Sequence, residues 1–232
     1  LELLQHNKKI SEKKSKNIID FKESIVLSNV NFKYPDSEFL SLKNINIIIP
    51  AGNKIGLIGA SGGGKSTLVD LILGLLEPSQ GVLKVDNVVI HQKHIRLWQN
   101  IVGYVPQQIY LLDDTIAANI GFGQDNNELD MPLVEESARI ANLHNFIIND
   151  LPMGYLTKVG ERGVRLSGGQ RQRIGIARVL YSRPKVLFLD EATSALDNIT
   201  EKLVMRNLYS IQEITIVTIA HRLSTIKECD CI

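Results

Sequence analysis

Residues 59–67 read GASGGGKST and have the composition of a loop that binds phosphate. They match the pattern G-x-x-x-x-G-K-[ST], the apolar run IGLI precedes them, and an amphipathic helix is predicted from Lys65 onward. We expect Lys65 to reach the β- and γ-phosphates of a nucleotide and the Ser66 hydroxyl to bind Mg²⁺. A flexible glycine turn is the alternative, which the flanking strand and helix disfavour. The residues predicted to surround the phosphates are Gly59, Ala60, Ser61, Gly62, Gly63, Gly64, Lys65, Ser66 and Thr67.

An acidic pair at the end of a second apolar run could complete this site. Residues 186–191 read VLFLDE, and a carboxylate at the exit of a buried strand is costly unless it is paired or lies near a metal. Asp190 is predicted to hold Mg²⁺ together with Ser66, and Glu191 to polarise the attacking water as a general base. Such a pair alone more often faces water, but the phosphate-binding loop favours the metal interpretation.

Three further side chains occupy positions suited to a nucleotide. His221 follows the run ITIVTIA, where ligands bind at the ends of parallel strands, and is interpreted as a γ-phosphate contact. Gln107 follows the strand predicted to end at Val105 and is expected to contact the metal or the attacking water. Tyr34 precedes Pro35, which favours an extended backbone. Its ring could stack on a base or belong to the core, and the residues alone leave both open.

A second glycine-rich segment lies about a hundred residues after the first and reads RLSGGQRQR over 165–173. Ser167 followed by Gln170 fits a capping box at the start of a helix, and Gly168 and Gly169 would let backbone N–H groups approach an anion. We expect a helix from Gly169 towards residue 181, with its positive end facing that anion. Arg171, Arg173 and Arg178 of this helix are expected to face solvent or to pair with carboxylates rather than to bind nucleic acid.

The order of the predicted elements indicates an α/β protein with a parallel core sheet. The continuous apolar runs VLFLD (186–190) and ITIVTIA (214–220) suit parallel strands that are buried on both faces. Alternating residues in SIVLSNVNFKYP (24–35) indicate a half-buried strand, and so predict a smaller antiparallel sheet near the start of the chain. The helix from Lys65 should bury Leu68, Leu71, Ile72 and Leu75 on one face. Residues 115–149 are predicted to be mainly helical.

The composition is that of an ordinary globular chain of 232 residues, with 44% hydrophobic and 22% charged residues. A formal net charge of +1 provides no overall basic field for nucleic acid, so no nucleic-acid partner is predicted. Cys229 and Cys231 are too close in sequence for an unstrained bridge and are predicted to be reduced. No apolar run approaches the roughly 18 residues that a membrane span needs. Residues 1–22 are predicted to be a linker.

Residues 24–232 resemble one family, the ATP-binding cassette (ABC) ATPases. The resemblance rests on several motifs that occur in the family's order. The matching motifs are the A-loop FKYP (32–35), the Walker A loop GASGGGKST (59–67), the Q-loop PQQ (106–108), the signature LSGGQ (166–170), the Walker B strand VLFLDE (186–191), the D-loop SALD (194–197) and the switch histidine of AHR (220–222).

The resemblance implies a P-loop ATPase fold with a RecA-like parallel core sheet, an N-terminal antiparallel β-subdomain and an inserted α-helical subdomain over about 108–182. The ATPase domain would cover 23–232 and follow a linker, 1–22, from a membrane domain. Because the family continues beyond the switch histidine with another strand and a helical tail, we expect a domain that is truncated at its C-terminus.

The resemblance also implies ATP and Mg²⁺ as cofactors and a second copy of the domain as partner. In this family two domains face head to tail, and the signature of one closes over the ATP held by the other. Lys65, Gln107, Glu191 and His221 would then be catalytic, with Gln107 also contacting the metal. Tyr34 would stack on adenine. The groups expected to complete the partner's site are Ser167, Gly168, Gly169, Gln170 and Asp197.

Softer signals resemble exporters. VGERG (159–163) and LLDDTIAANI (111–120) look exporter-like, and residues 151–198 are similar to transporters that flip lipid-linked oligosaccharides or polysaccharides. This implies a fused membrane domain and a place on the cytoplasmic face of the inner membrane, with the present fragment itself soluble. A soluble ABC ATPase acting on ribosomes or DNA and an importer ATPase subunit are the alternatives. The lack of a heptad run between Ser66 and Leu166 disfavours the first, and GERG disfavours the second.

Overall fold

The computed structural model describes residues 19–60, 62–125, 128–160, 163, 166–220 and 226–232. Eight strands and seven helices occur in these ranges. The strands are β1 (Ser24–Phe32), β2 (Leu42–Pro50), β3 (Lys54–Leu57), β4 (Gln80–Val85), β5 (Val88–Val89), β6 (Val102–Val105), β7 (Val186–Asp190) and β8 (Thr215–Ile219). The helices are α1 (Lys65–Ile72), α2 (Ile95–Gln99), α3 (Ile116–Ile120), α4 (Met131–Ile140), α5 (His144–Asp150), α6 (Gly168–Tyr181) and α7 (Asn198–Tyr209), with a 3₁₀ turn at Gly154–Leu156.

The predicted parallel sheet has the strand order β3-β8-β7-β6. All five residues of β8 are buried, as are the first four of β7, because helices and the second sheet cover both faces. Alternate residues of β7 point to opposite sides. Leu187 and Leu189 join the core shared with the helical region, while Val186 and Phe188 join the core shared with the β-subdomain. The sheet therefore divides two hydrophobic cores.

The predicted antiparallel sheet has the order β2-β1-β4-β5. A turn at Asp86, whose φ is 51°, separates β4 from β5. The Asp86 carboxylate accepts hydrogen bonds from the backbone N–H groups of Lys22, Glu23 and Ser24. Ile19 and Phe21 are buried in the core of this subdomain. Ile19 and Phe21 thus pack with this subdomain, and the domain boundary between residues 22 and 23 stays a prediction.

The helical region contains α3 to α6 and buries its apolar faces in one cluster with the parallel sheet. The prediction of a mainly helical stretch over 115–149 holds for α3, α4 and α5, although turns separate α3 from α4. The predicted apolar face of α1 is wrong at one position. The helix ends at Ile72, and Leu75, beyond the turn at Gly74, is 61% exposed. None of the helices in the described residues is long and apolar enough to cross a membrane.

Candidate nucleotide-binding site

A cavity of about 380 Å³ opens where β7 and β8 end and α1 begins. In open α/β sheets this edge, at the carboxyl ends of the strands, is where ligands bind. The loop before α1 and the acidic pair Asp190 and Glu191 line the same cavity, as the sequence predicts. The described residues of its wall are Leu40, Ser41, Gly62, Gly63, Gly64, Lys65, Ser66, Thr67, Asp190, Glu191 and Ile219.

The glycine-rich loop has the backbone geometry of an anion cradle. Gly62 and Gly64 have φ of 77° and 82°, in the left-handed region that favours glycine. A Cβ on Gly64 would lie 2.9 Å from the Ser41 carbonyl oxygen, so a side chain there would displace the backbone of the cavity wall. Helix α1 has no side-chain cap and no acidic residue in its first turn. Its first N–H groups are therefore available to an anion.

The Lys65 ammonium lies folded over this loop. Its Nζ donates hydrogen bonds to the carbonyl oxygens of Gly59, at 2.8 Å, and Ala60, at 2.9 Å. These two bonds hold the charged group beside the loop without an acidic partner. Phosphate oxygens are stronger acceptors for an ammonium than neutral carbonyls. The Lys65 ammonium therefore already lies where phosphates are predicted to bind.

Tyr34 lies beside the loop through a hydroxyl contact. Its Oη lies 3.1 Å from the Thr67 Oγ1, and its ring packs edge-on against Phe32 with centroids 4.8 Å apart. The residue remains 39% exposed, so part of the ring is open to solvent. The structure thus combines features of both interpretations of Tyr34, and stacking on adenine remains a prediction.

Tyr104 is a site residue that the sequence analysis missed. It lies on β6, and its hydroxyl donates a 3.0 Å hydrogen bond to the Asp190 Oδ2. Burial, followed by the Asp190 charge, raises the pKa of Tyr104 well above its ordinary value, so the hydroxyl keeps its proton at neutral pH. Burial and then the Asp190 charge also raise the pKa of Asp70. Tyr104 reaches Asp190 because β6 lies beside β7 in the sheet. Local sequence does not specify this strand order, so it gives no signal for Tyr104.

The residues predicted to hold Mg²⁺ fit that ion by their chemistry. Ser66 and Asp190 line one cavity, and both offer the oxygen ligands that Mg²⁺ prefers. No cluster of three or more metal-binding side chains occurs in the described part of the chain. Mg²⁺ at nucleotide sites is commonly held by one or two protein oxygens together with substrate phosphates and water.

Glu191 is held by both its backbone and its side chain. Its φ is 48°, which is unusual for a residue other than glycine, and its N–H donates to the Ile219 carbonyl oxygen at 3.0 Å. Its Oε2 accepts a 2.8 Å hydrogen bond from the Gln107 Nε2. Gln107 was expected to contact the metal or the water, and in the structure its amide contacts the predicted base instead. A role of Gln107 at the metal stays a prediction.

The capping box predicted at the second glycine-rich segment is present. The Gln170 N–H donates to the Ser167 Oγ at 3.2 Å, and the Ser167 N–H donates to the Gln170 Oε1 at 2.7 Å. Helix α6 begins at Gly168, one residue before the expected start. None of Ser167, Gly168, Gly169 and Gln170 is among the described residues that line the nucleotide cavity.

Asp197 caps helix α7. Its carboxylate accepts hydrogen bonds from the N–H groups of Ile199 and Thr200 and from the Thr200 hydroxyl. The bond from the Thr200 side chain is the main reason that the pKa of Asp197 lies below its ordinary value. The predicted contact of Asp197 with a nucleotide stays a prediction, and the structure adds this second role within its own helix.

The arginines of α6 correct the expectation that they face solvent or pair with carboxylates. Arg171 donates to the Leu166 carbonyl oxygen at 2.7 Å, and Arg173 donates to the Asn142 carbonyl oxygen. Arg178 donates to the carbonyl oxygens of Asn119 and Tyr110. Burial lowers the pKa of Arg173 and Arg178. These side chains therefore donate to carbonyl oxygens of loops and of the end of α3, because these segments lie against α6.

Two predicted site residues, Ser61 and His221, lie outside the described residues, as do Glu161 and Arg162 of the exporter-like segment. The predictions for them stand on the sequence alone. The two cysteines are free thiols. Cys229 Sγ lies 3.4 Å from the Tyr209 hydroxyl, and the Cys231 carbonyl oxygen accepts from the Gly56 N–H, beside strand β3.

The fold and the cavity together define a P-loop ATPase domain. Residues 42–194 match the family model described as ABC transporter, which is more than half of the chain. The chain therefore belongs to the ABC transporter family, and its fold is the one that this resemblance implies.

Curated relatives narrow the comparison to exporters. The chain is 45% identical over 203 residues to ABC transporter B family member 29, chloroplastic, of Arabidopsis thaliana, covering 87% of this chain and 32% of that protein. It is 43% identical to the multidrug resistance protein pgp-1 of Caenorhabditis elegans, covering 90% of this chain and 16% of that protein. It is also 43% identical to an ATP-dependent lipid A-core flippase of Saccharophagus degradans, covering 91% of this chain and 36% of that protein.

A solved structure supports the same placement. A bacterial Atm1-family ABC exporter with ATP bound matches with a TM-score of 0.83 and 38% identity, over 90% of this chain and 36% of that chain. The chain thus spans about a third or less of the relatives described here. It corresponds to an ATP-binding domain of the exporter type, and the predicted likeness to flippases is confirmed at the level of sequence.

Proposed function

We propose that this domain binds and hydrolyses ATP to drive the export or flipping of a substrate across a membrane, through ATP-dependent head-to-tail pairing of two copies. The loop 59–67 holds the phosphates, with Lys65 supplying positive charge at the β- and γ-phosphates. Ser66 and Asp190 would hold Mg²⁺, with Gln107 as a further contact to the ion. When bound, Mg²⁺ supplies positive charge that neutralises the phosphate oxygens. Tyr34 stacks on adenine.

The chemical step uses groups of this chain at the edge of the cavity. Glu191 accepts a proton from the attacking water as the water adds to the γ-phosphorus, and the bond to the β-phosphate oxygen breaks to release ADP. Gln107, through its 2.8 Å hydrogen bond, orients the Glu191 carboxylate. His221 contacts the γ-phosphate. These roles follow the family pattern, and the cavity supports them by uniting the loop with the acidic pair.

One observation carries the two-copy part of the proposal. The chain has two glycine-rich anion motifs, but the described wall of its nucleotide cavity contains residues of the first only. The second forms the capped start of α6, where Ser167 and Gln170 are already arranged around the first turn. A second copy placed head to tail would bring this helix end, with Asp197 behind it, onto the γ-phosphate of its partner.

The surface of the helical region supports a membrane-domain partner. Large apolar side chains are exposed where the chain enters this region after Gln107, with Tyr110 at 70% and Leu112 at 50%, and on the region itself, with Phe122 at 56% and Leu156 at 60%. Exposed apolar residues that adjoin one another mark interaction sites. We propose that this surface receives a membrane domain, fused or separate, which places the present domain on the cytoplasmic face of that membrane.

The test separates nucleotide binding from pairing. Glu191→Gln should retain MgATP binding and lose turnover by about 10²- to 10⁴-fold, because a general base is removed. ATP should then hold two chains together long enough for detection by size-exclusion chromatography with light scattering. In this background, Lys65→Ala should abolish both nucleotide binding and the pair. Ser167→Arg should abolish the pair alone, because the nucleotide cavity of its own chain is untouched.

Ser167→Ala is the matched control for Ser167→Arg. It removes the capping oxygen, at a cost of about 1 kcal/mol of helix stability, but it adds neither bulk nor charge at the expected interface. It should keep most of the pairing. If Ser167→Arg lowers the monomer's affinity for ATP as much as Lys65→Ala does, the second motif contacts the phosphate bound by its own chain. The two-copy proposal is then wrong.

A further inference from the structure

The segment 191–197 is held between the signature helix α6 and helix α7. From α6, the Gln172 amide donates to the Ser194 Oγ at 3.0 Å and to the Glu191 carbonyl oxygen at 3.4 Å, and its Oε1 accepts from the Ala195 N–H at 2.9 Å. From α7, Glu201 accepts a 2.9 Å hydrogen bond from the Thr193 hydroxyl. The backbone that follows the predicted base therefore depends on side chains of two helices.

Gln172 is a buried polar residue, only 5% exposed. A buried amide without partners is costly, and this one finds both of its acceptors and its donor on the single segment 191–195. Because α6 also carries Ser167 and Gln170, one rigid helix joins the second anion motif to the backbone of Glu191.

The glycines of the motif form a second, independent contact with the same segment. A Cβ added to Gly168 would lie 3.2 Å from the Ala195 Cβ, and one added to Gly169 would lie 3.1 Å from the Ala195 carbonyl oxygen. Both glycines thus pack directly on residue 195. A displacement of the start of α6 is therefore transmitted to the segment 191–197 through backbone contact as well as through Gln172.

Glu191 is the point where such a displacement matters. Its left-handed backbone conformation, with φ of 48°, is rare for a side-chain-bearing residue and persists only where surrounding contacts hold it. Its N–H is bonded to β8 and its carbonyl oxygen to Gln172, so the carboxylate stands on a backbone that is fixed from both sides.

We propose that Gln172 is a positioning residue that ties the predicted base Glu191 to the signature motif of the same chain. It rests on the proposed function, in which this motif closes on the nucleotide of a second copy. Closure of the motif on the partner's ATP then sets the position of Glu191 in its own cavity. Each of the two sites becomes competent only when the other holds ATP.

The experiment uses the 232-residue chain with ATP turnover measured over a range of ATP concentrations. Gln172→Leu keeps similar bulk but removes all three hydrogen bonds. Gln172→Glu can still accept from the Ala195 N–H and from the Ser194 hydroxyl, but it cannot donate to the Glu191 carbonyl oxygen. Both variants should lower kcat by about 10- to 100-fold, the size expected for a misplaced catalytic group, with KM within about 2-fold.

Two controls separate positioning from general packing. Gln99→Leu removes one amide hydrogen bond at an exposed position, from Nε2 to the carbonyl oxygen of Leu73 at the C-terminal end of α1, and should leave kcat unchanged. Ser194→Ala removes one partner of Gln172 but leaves its bonds to residues 191 and 195, and should lower kcat by less than about 3-fold. Thermal unfolding and monomer affinity for ATP are measured for all variants, because a purely structural role of Gln172 would lower these two quantities as well as kcat.

The outcomes distinguish this inference from the function on which it rests. If Glu191→Gln alone forms no ATP-dependent pair, the proposed function fails and the coupling fails with it. If that pair forms but Gln172→Leu and Gln172→Glu turn over ATP at the wild-type rate, the inference alone is overturned. It is equally overturned if kcat falls only in proportion to lost thermal stability or monomer affinity. If Gln172→Leu does not fold, Gln172→Glu decides.

Discussion

Three predicted site residues around the nucleotide cavity each form a hydrogen bond that involves a neutral side chain. Tyr104 donates to Asp190, Gln107 donates to Glu191, and Tyr34 contacts Thr67. Each neutral group can orient its neighbour without cancelling the charge that catalysis needs. Their loss should therefore change metal binding, turnover or base recognition in separable ways.

Replacement of Tyr34 tests whether its ring binds the base. Tyr34→Ala should weaken ATP binding to the monomer by about 1–3 kcal/mol, the range for loss of base stacking on an aromatic ring. Tyr34→Phe should bind ATP nearly as tightly as the wild type, because it keeps the ring. Water can replace the lost hydroxyl as the partner of Thr67, since the position is partly exposed. Titration with a fluorescent ATP analogue provides the measurement. Since any base has a stacking face, GTP should also bind. Equal affinities for all three proteins would assign Tyr34 to the core.

Replacement of Tyr104 tests how Asp190 is oriented. Tyr104→Phe removes only the donor to Oδ2 and should weaken Mn²⁺ binding in the presence of a non-hydrolysable ATP analogue by about 10- to 100-fold, as expected for a group that orients a metal ligand. Electron paramagnetic resonance of free Mn²⁺ measures this directly. Tyr155→Phe, which loses a hydroxyl bond to His144 in the helical region, is the control. Equal Mn²⁺ affinity in the two variants would contradict the role of Tyr104.

Among the elements, helix α6 is the one to which the helical region and the catalytic segment both attach. Its arginines donate hydrogen bonds to backbone carbonyl oxygens of the surrounding loops, and the Gln172 side chain accepts a hydrogen bond from the segment after β7. Asn119 of α3 is fully buried beside it. The Asn119 Oδ1 accepts from the Leu112 N–H and from Arg178, and its Nδ2 donates to the carbonyl oxygens of Leu112 and Thr115.

Removal of this amide should loosen the helical region. Asn119→Ala removes the side-chain partner of the Leu112 N–H and carbonyl groups and one of the acceptors of Arg178, and should lower the free energy of unfolding by about 1–3 kcal/mol. Urea denaturation followed by circular dichroism measures the change. Asn100→Ala, at an exposed position after α2, should change it by less than about 0.5 kcal/mol. Similar small effects of both substitutions would show that the buried network contributes little.

At the scale of the whole molecule, the parallel sheet joins two hydrophobic cores. Phe188 is fully buried on the side of the β-subdomain, together with Trp98, the only tryptophan of the chain. Leu187 and Leu189 face the helical region from the same strand. Because β7 contributes side chains to both cores, unfolding of either core would expose buried residues of the other. The described domain should therefore unfold as one unit.

Phe188→Ala tests this unity. The cavity that it leaves should cost about 3–5 kcal/mol of unfolding free energy. Unfolding followed by Trp98 fluorescence, which reports on one core, and by circular dichroism, which is weighted to the helices, should give coincident transitions. Ile48→Ala, at a residue that is 67% exposed, should have little effect. Two separated transitions would mean that the cores unfold independently.

The sequence by itself determined those features that depend on neighbouring residues. The phosphate-binding loop, the capping box at Ser167 and the continuous apolar strands are encoded within windows of a few residues, because turn geometry, helix capping and burial follow local residue types. The motif order also sufficed for the family, which the comparisons confirm. The errors at Leu75 and at the arginines arose where a turn or a distant loop, rather than local periodicity, decided exposure.

Only the tertiary structure decided which distant side chains meet. Tyr104 reaches Asp190 because β6 lies beside β7, and Gln172 reaches the segment after Glu191 because α6 packs against it. Periodicity shows which face of an element is buried, but it does not specify the neighbour that covers that face. Strand order and helix packing arise from the combined burial of both cores, so contacts between residues far apart in the chain appear only when the domain is assembled.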